Sequence, residues 1–186
     1  IIATISILRK VENILHVHVV CHDLSSQIRT KMQSIFDAET THNQQVTLYD
    51  FDWHDQLTWL LWKSHVTKAA YIRLFFPNFF QHLESIIYMD ADMLVVWDIS
   101  QHLQWENDYL IAAVPEPRLA PLYNSLHHLQ LGSHQTFNSG FLQLNLAKIR
   151  ETQLFERVRK WLQENMQNVV HCDQDWLNCV LQWSFS

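Results

Sequence analysis

Short apolar runs alternate with amphipathic stretches along most of the chain, which predicts strands that alternate with helices. The run from Leu15 to Val20 is rich in β-branched residues and is typical of a strand, whereas residues 25–36 have apolar side chains at helical spacing. The predicted strands are 15–20, 46–49, 86–89, 110–114 and 141–145, and the predicted helices are 1–10, 25–36, 67–76, 147–164 and 173–181. The apolar run that contains the strand 86–89 resumes at 94–97.

Two of the predicted helices carry further signals. Pro77 is predicted to end the helix 67–76, because proline interrupts helical hydrogen bonding. The stretch 147–164 is predicted to be one long amphipathic helix. Its predicted inner face consists of Ile149, Leu154, Phe155, Val158 and Leu162. Strands that alternate with such helices indicate an α/β fold with a mostly parallel central sheet covered on both faces, and such sheets bind ligands at the carboxyl ends of their strands.

Composition argues against several classes of protein. The chain has 186 residues, a formal net charge of -6 and no Lys/Arg stripe among its 13 basic residues, which argues against a nucleic-acid partner. With 2 glycines it has neither a Walker loop nor a GxGxxG turn. No apolar run approaches the roughly 18 to 20 residues that span a bilayer. The 3 widely spaced cysteines favour a reducing compartment over a disulfide framework.

An Asp-Ala-Asp tripeptide at residues 90–92 directly follows the apolar stretch Ile86–Met89. On an extended chain the carboxylates of Asp90 and Asp92 point to the same side, where they repel each other. A divalent cation compensates for such a pair, and carboxylate oxygens suit Mn²⁺ or Mg²⁺, which also bind substrate phosphates. The alternative interpretation is a solvated turn after the strand.

Four motifs in a fixed order resemble those of the family 8 glycosyltransferases. They are Tyr71-Ile-Arg-Leu74, the segment from Ile86 to Val95, Phe137-Asn-Ser-Gly140, and Asp173-Gln-Asp175 followed by Leu177-Asn178. The likeness covers nearly the whole chain and is strongest toward bacterial lipopolysaccharide galactosyl- and glucosyltransferases. The resemblance implies a Rossmann-like nucleotide-sugar-binding domain of the GT-A type. Such a domain transfers a hexose from UDP-galactose or UDP-glucose to a saccharide or glycolipid acceptor, with retention at the anomeric carbon.

The resemblance also implies roles for individual residues. The residues expected to bind the donor are Arg73, Asp90, Ala91, Asp92, Asn138 and Ser139, with Asp90 and Asp92 as ligands of Mn²⁺ or Mg²⁺. Gln174 is expected at the reactive face of the donor sugar, with Asp173 on the sugar hydroxyls and Asp175 as the alternative nucleophile. A carboxamide is a poor nucleophile, so we favour attack and departure on one face of the sugar. His65 and His171 are expected near the acceptor.

Several of these residues also have a purely structural interpretation. Arg73 fits a surface ion pair, Asn138 fits a turn before the strand 141–145, and Asp173 fits a helix N-cap. Two other functions stay open at this point. One is a haloacid dehalogenase-type phosphatase, although those enzymes have Gly or Thr soon after the second Asp, where this chain has Met-Leu-Val. The other is a non-catalytic carbohydrate-binding relic.

We expect residues 1–186 to form a single catalytic domain that lacks a piece at each end. The first strand of the family fold, which contacts uracil and ribose, would precede Ile1, and the histidine that completes the metal site would follow Ser186. The basic, aromatic tail that attaches family members to membranes would also lie outside these residues. The resemblance therefore implies a cytoplasmic protein, at most peripheral on the inner face of the membrane.

Overall fold

The computed structural model describes residues 1–52, 68–102, 109–132, 135–171 and 173–181, without the side chains of residues 68–70, 102, 173 and 181. The chain divides into two compact units. The first unit comprises Ile1–Asp55 and Met89–Glu106, and the second comprises Gln56–Tyr88 and Asn107–Ser186. The assignment of residues 1–186 to a single catalytic domain stays a prediction.

The first unit is built on a parallel pair of strands. Its elements are α1 (Ile2–Leu8), β1 (Leu15–Cys21), α2 (Ser26–Glu39), β2 (Gln44–Asp50) and a 3-10 turn, Ser100–His102. The two strands pair in parallel from Leu15 opposite Gln44 to Cys21 opposite Asp50. Parallel neighbours need a crossover connection, which α2 supplies. Ser25 caps α2, because its side chain accepts a hydrogen bond from the Ile28 N–H.

The core of the first unit lies between the helices and the sheet. Met32 and Phe36 of α2 pack with Leu8, Cys21 and Val46, and partly buried apolar residues of both strands pack against this group. Gln44 joins the end of α1 to the start of β2, since its Nε2 donates to the carbonyls of Leu8 at 2.8 Å and Val11 at 2.6 Å. Met32 and Phe36, two of the apolar positions that predicted α2, therefore lie in the core, whereas Ile28 on the same helix is exposed.

The second unit contains a three-stranded sheet. Its elements are a 3-10 helix (Lys68–Phe75), α3 (Phe76–Phe79), β3 (Ser85–Met89), β4 (Ile111–Pro115), α4 (Leu119–His127), β5 (Phe137–Asn145), α5 (Leu146–Glu151), α6 (Leu154–Asn165), a 3-10 turn (Met166–Asn168) and α7 (Asp173–Leu181). The strand order is β3-β5-β4, and β4 runs antiparallel to β5. The α/β class is confirmed. The parallel arrangement holds for β1 and β2, whereas β4 departs from it.

The helix predicted over 147–164 is interrupted. The chain forms α5 and α6, and Gln153 between them has a left-handed φ of 51°. The buried face is nevertheless as predicted, because Ile149, Leu154, Val158 and Leu162 are buried while Phe155 is half-buried. The apolar pattern thus identified the correct side of both helices but not the break.

The structure corrects the role of Pro77 and the start of one strand, and it shows what the apolar run 94–97 forms. Pro77 lies in the first turn of α3, so it begins a helix where proline needs no N–H donor, rather than ending one. Residues 94–97 form no strand, and Val95 alone of the four is buried, with its N–H bound to the Ser6 hydroxyl at 2.9 Å. The strand predicted over 141–145 begins at Phe137, so the Phe-Asn-Ser-Gly motif lies within β5. No helix among the described residues combines the length and the apolar character needed to cross a bilayer.

Candidate active site

The pairing of β4 and β5 is interrupted where β5 carries the Phe-Asn-Ser-Gly motif. Val114 lies opposite Asn138, but the neighbouring Ala113 lies opposite Leu142, so residues 139–141 have no partner on β4 in this register. Interruptions of this kind release backbone groups from the ladder and are frequent beside binding sites. The backbone of Ser139 is therefore available to side chains outside β4.

Gln174, in the first turn of α7, is the first of these side chains. The Ser139 N–H donates to Gln174 Oε1 at 3.0 Å, and the Ser139 hydroxyl lies 3.4 Å from the same oxygen. Ser139 is buried and Gln174 is half-buried. Because an N–H group requires an acceptor, the contact fixes which end of the carboxamide faces β5. It brings together two of the motifs noted in the sequence, whose contacting residues are 35 positions apart.

Arg73 binds the opposite side of Ser139. It is 8% exposed, which excludes the surface ion pair. Its Nη1 donates to the Ser139 carbonyl at 2.5 Å and its Nη2 to the Tyr88 hydroxyl at 2.7 Å. The guanidinium also lies 4.0 Å from the centroid of the Tyr88 ring, which is a favourable cation–π arrangement. The peptide groups of Ser139 are thus held on both sides, and contact of Arg73 with a donor stays a prediction.

Asn178 is a polar residue of this site for which no individual role was predicted. It is fully buried, accepts from the Phe137 N–H at 2.8 Å, and donates to the carbonyls of Phe137 at 3.0 Å and Gln174 at 2.8 Å. Two signals point to it: it is a polar residue within an apolar run, and it lies four residues after Gln174, on the same face of a helix. It attaches α7 to the start of β5.

Asp175 holds the segment before α7. Its carboxylate is 0% exposed, and Oδ2 accepts from the N–H groups of Val170 at 2.5 Å and His171 at 3.1 Å. The other oxygen lies 3.6 Å from His171 Nδ1. As the third residue of α7, Asp175 satisfies backbone donors just before the helix, as the acidic member of a capping box does. A nucleophile must reach the donor sugar, and the Asp175 carboxylate has no exposed oxygen, so the structure gives no support to its predicted role as the alternative nucleophile.

Three side chains near Asp175 have shifted pKa values. The pKa of the Tyr123 hydroxyl is raised by burial and then by the charge of Asp175, while Gln174 acts in the opposite direction. Burial, with Asp175 second, raises the pKa of the Cys179 thiol to about 12. Burial lowers the pKa of His127, which Asp175 opposes. All three are therefore held in their neutral forms behind Gln174 at pH 7.

The Asp-Ala-Asp tripeptide, in the first unit, forms a turn rather than the predicted extended chain. The Met93 N–H donates to the Asp90 carbonyl at 3.1 Å, which closes the turn after β3. Asp90 is half-buried, whereas Ala91 and Asp92 are exposed. Among the residues that the structure describes, no three His, Cys, Asp or Glu side chains are grouped so as to hold a metal ion. The role of Asp90 and Asp92 as metal ligands stays a prediction.

The other predicted site residues are placed as follows. Asn138 is exposed and lies within β5 rather than in a turn before it, and its Oδ1 accepts from the Gly140 N–H at 2.8 Å. His171 is exposed beside Asp175. Asp173 is the first residue of α7, but its side chain and the whole of His65 lie outside the described part of the chain. The donor and acceptor contacts of these residues stay predictions.

Solved structures with the same fold are glycosyltransferases. The chain is similar to the galactosyltransferase LgtC, solved in complex with donor and acceptor sugar analogs, with a TM-score of 0.81 and 21% identity. The match covers 95% of this chain and 64% of that one. The fold is thus that of the GT-A glycosyltransferases, as the motifs predicted.

The sequence as a whole defines the family. The model of Glycosyl transferase family 8 matches residues 1–185, and the chain belongs to that family. It is 33% identical over 130 residues to General stress protein A of Bacillus subtilis (strain 168). That match covers 64% of this chain and 44% of the relative. It is 30% identical over 154 residues to the lipopolysaccharide 1,2-glucosyltransferase of Escherichia coli (strain K12), and the match covers 81% of this chain and 45% of the relative. The chain therefore spans less than half the length of either relative. Membership of family 8 gives no support to the interpretation as a phosphatase.

Proposed function

We propose that the full-length protein is a retaining hexosyltransferase that moves a hexose from a UDP-sugar to a saccharide or glycolipid acceptor. The observation that carries this proposal is the contact of Gln174 with Ser139 in a chain of family 8. It joins the two motifs expected to bind the donor sugar, and it leaves Gln174 half-buried in a fixed orientation. UDP-galactose and UDP-glucose are the proposed donors, because similar proteins include a galactosyltransferase and a glucosyltransferase.

In the proposed reaction, the bond between the anomeric carbon and the diphosphate oxygen breaks while the acceptor oxygen bonds to the same face of that carbon. The acceptor proton passes to the leaving phosphate oxygen, so that the products are the glycoside and UDP. Gln174 is neutral and stabilises the positive charge that develops at the anomeric centre with its carbonyl oxygen Oε1, the negative end of the carboxamide, which has a second lone pair beside the one that accepts from the Ser139 N–H. Asp175 acts by holding residues 170 and 171, because its carboxylate is fully buried.

Asp90 and Asp92 fit a divalent cation that is shared with the donor. They lie two residues apart in one turn, and Asp92 is exposed. Ions of this kind typically take one or two carboxylates and complete their coordination with water and substrate phosphates, so two carboxylates suffice. When bound, Mn²⁺ or Mg²⁺ supplies positive charge that stabilises the departing diphosphate.

The acceptor side of the proposal depends on the histidines. His171 is exposed just before α7, and we assign it, with His65, to the acceptor. Synthesis of a cell-surface glycan such as lipopolysaccharide is the proposed setting, on the cytoplasmic side of the membrane. The thiols of Cys21 and Cys179 are free, as in proteins of reducing compartments.

Release of UDP from a panel of UDP-sugars tests this function. The full-length protein should release UDP and form a glycoside with the donor's anomeric configuration, in a reaction that stops with EDTA. Gln174→Ala should lower the rate by about a hundredfold, the size of effect seen when one electrostatic contact to a transition state is lost. Asp90→Asn and Asp92→Asn should each weaken the dependence on Mn²⁺.

Asp37→Asn is the matched control, because Asp37 is an exposed carboxylate on α2 that should not affect turnover. Hydrolysis of p-nitrophenyl phosphate without any UDP release would refute the proposal in favour of a phosphatase. Sugar binding without transfer would instead support the non-catalytic alternative.

A further inference from the structure

At the start of β5, the side chain of Asn178 makes the pair of hydrogen bonds that a neighbouring strand would make. Its carboxamide accepts from the N–H of Phe137 and donates to the carbonyl of the same residue, at 2.8 Å and 3.0 Å. A peptide group of an adjacent strand would satisfy these two atoms in the same way. The side chain is fully buried, so its removal takes away the partner of two backbone groups in the interior.

The same side chain also binds the helix on which Gln174 lies. Asn178 Nδ2 donates to the Gln174 carbonyl at 2.8 Å, one turn earlier in α7. Ser139 is two residues after Phe137 on β5, and its N–H binds the Gln174 side chain. Asn178 thus attaches α7 to β5 at Phe137. The contact between Gln174 and Ser139 lies next to this attachment, because Gln174 is one helical turn before Asn178 and Ser139 is two residues after Phe137.

We propose that Asn178 is a positioning residue that holds Gln174 Oε1 on the Ser139 N–H and thereby sets the carboxamide for the donor sugar. This inference rests on the proposed function. A displacement of about 1 Å is enough to break a hydrogen bond of 3.0 Å and to cost a reaction roughly a hundredfold in rate. Asn178 acts through Gln174 and does not itself touch the substrate.

Asn124 is a matched control. Its side chain also binds both backbone groups of one residue, since it accepts from the Leu131 N–H at 2.7 Å and donates to the Leu131 carbonyl at 3.0 Å. These bonds join α4 to the segment that follows it and do not involve α7 or β5. Asn178→Ala should lower kcat by 10-fold to 100-fold with the donor KM changed by less than about threefold. Asn124→Ala should leave both constants within about threefold, although it removes an equivalent pair of hydrogen bonds.

A double-mutant cycle separates positioning from general damage. In a Gln174→Ala background, Asn178→Ala should lower kcat by less than about threefold, because the group it positions is already gone. Asn178→Asp gives a second test in which the fold is preserved at low pH. Its protonated carboxyl group restores a donor to Phe137, so its deficit in kcat relative to the wild type should shrink from pH 8 to pH 6.

Hydrogen exchange of the Ser139 amide tests the inference without an assay of enzyme activity. Asn178→Ala should accelerate this exchange at least about tenfold, whereas Asn124→Ala should not. If the wild type transfers no sugar, the proposed function fails and the exchange result still decides the positioning role. Equal kcat losses in the Asn178 and Asn124 variants, full additivity with Gln174→Ala, unchanged exchange, or unfolding of both Asn178 variants would each overturn it.

Discussion

Ser139 is bound at both of its backbone groups, by Gln174 at the N–H and by Arg73 at the carbonyl. The Arg73 fork serves two acceptors at once, the Ser139 carbonyl and the Tyr88 hydroxyl. A lysine has one compact ammonium group and does not reproduce this geometry. The orientation of Ser139, and hence of Gln174, therefore depends on the guanidinium group and not only on its charge.

The first prediction is that Arg73→Lys lowers both stability and turnover. Loss of a hydrogen bond of the buried guanidinium should lower the free energy of unfolding by about 1 to 3 kcal/mol, measured by urea denaturation. The rate of UDP release should fall by at least about tenfold, because Ser139 loses support for its carbonyl. Tyr88→Phe is the matched variant, since it keeps the ring beneath the guanidinium and removes the hydroxyl alone. An active and fully stable Arg73→Lys protein would contradict the account.

His127 provides a prediction about pH. Both of its ring nitrogens are buried without a hydrogen-bond partner among the described residues, and the ring lies 5.1 Å from that of Trp161. Burial lowers its pKa from 6.5, the neighbouring Asp175 raises it, and His128 lowers it again. Since its folded-state pKa lies below the unfolded value, the unfolded chain binds more protons once the pH falls below about 6.5. Stability should therefore decline from that pH downwards.

The second prediction is that His127→Phe makes this decline shallower. Phenylalanine keeps a ring next to Trp161 and cannot be protonated, so Tm between pH 7 and pH 5 should fall less than in the wild type. The chain has 12 histidines, and therefore the difference between variant and wild type is the quantity to measure. His42→Gln, at an exposed position of the first unit, is the control. Identical slopes for the His127 variant and the wild type would refute the assignment.

The break between α5 and α6 shows what the apolar pattern does and does not predict. Apolar residues identified the buried side of both helices, because burial depends on side-chain chemistry that the sequence displays directly. The break itself depends on the backbone of Gln153, whose left-handed conformation has no required residue type. A weak signal was present: Ile149 and Leu154 are five apart, which exceeds the spacing of three or four on one helical face.

The third prediction is that Gln153→Gly stabilises the second unit. Residues with a Cβ atom are disfavoured in the left-handed region, and glycine is not, so the free energy of unfolding should rise by about 0.5 to 1 kcal/mol despite the greater flexibility of glycine in the unfolded chain. Gln153→Val should be destabilising, because a β-branched side chain tolerates this conformation least. Thermal unfolding followed by circular dichroism measures both. A destabilised glycine variant would show that the φ of Gln153 causes no strain.

For the chain as a whole, motif order predicted more than local pattern did. The family, the α/β class and the bounds of α7 follow from residues whose types are constrained by chemistry, such as Gln174 between two aspartates. The contacts of Arg73 and Gln174 with Ser139 did not follow, because they depend on how β5 leaves the ladder with β4. Such irregularities arise from three-dimensional packing, and single-sequence periodicity does not record them.

The fourth prediction concerns ligand-linked stability of the full-length protein. If Asp90 and Asp92 bind a cation together with the donor diphosphate, UDP and Mn²⁺ should stabilise the folded state jointly and neither should do so alone. At about 100 times Kd, mass action contributes roughly 2.7 kcal/mol, which raises Tm by roughly 5 to 10 °C for a domain of about 200 residues. EDTA should remove this increase and leave the Tm of the ligand-free protein unchanged. Asp90→Asn and Asp92→Asn should abolish the increase at the same ligand concentrations, because one carboxylate and water compete poorly for the ion. A Tm increase with UDP alone, retained by both variants, would place nucleotide binding elsewhere and separate it from these two carboxylates.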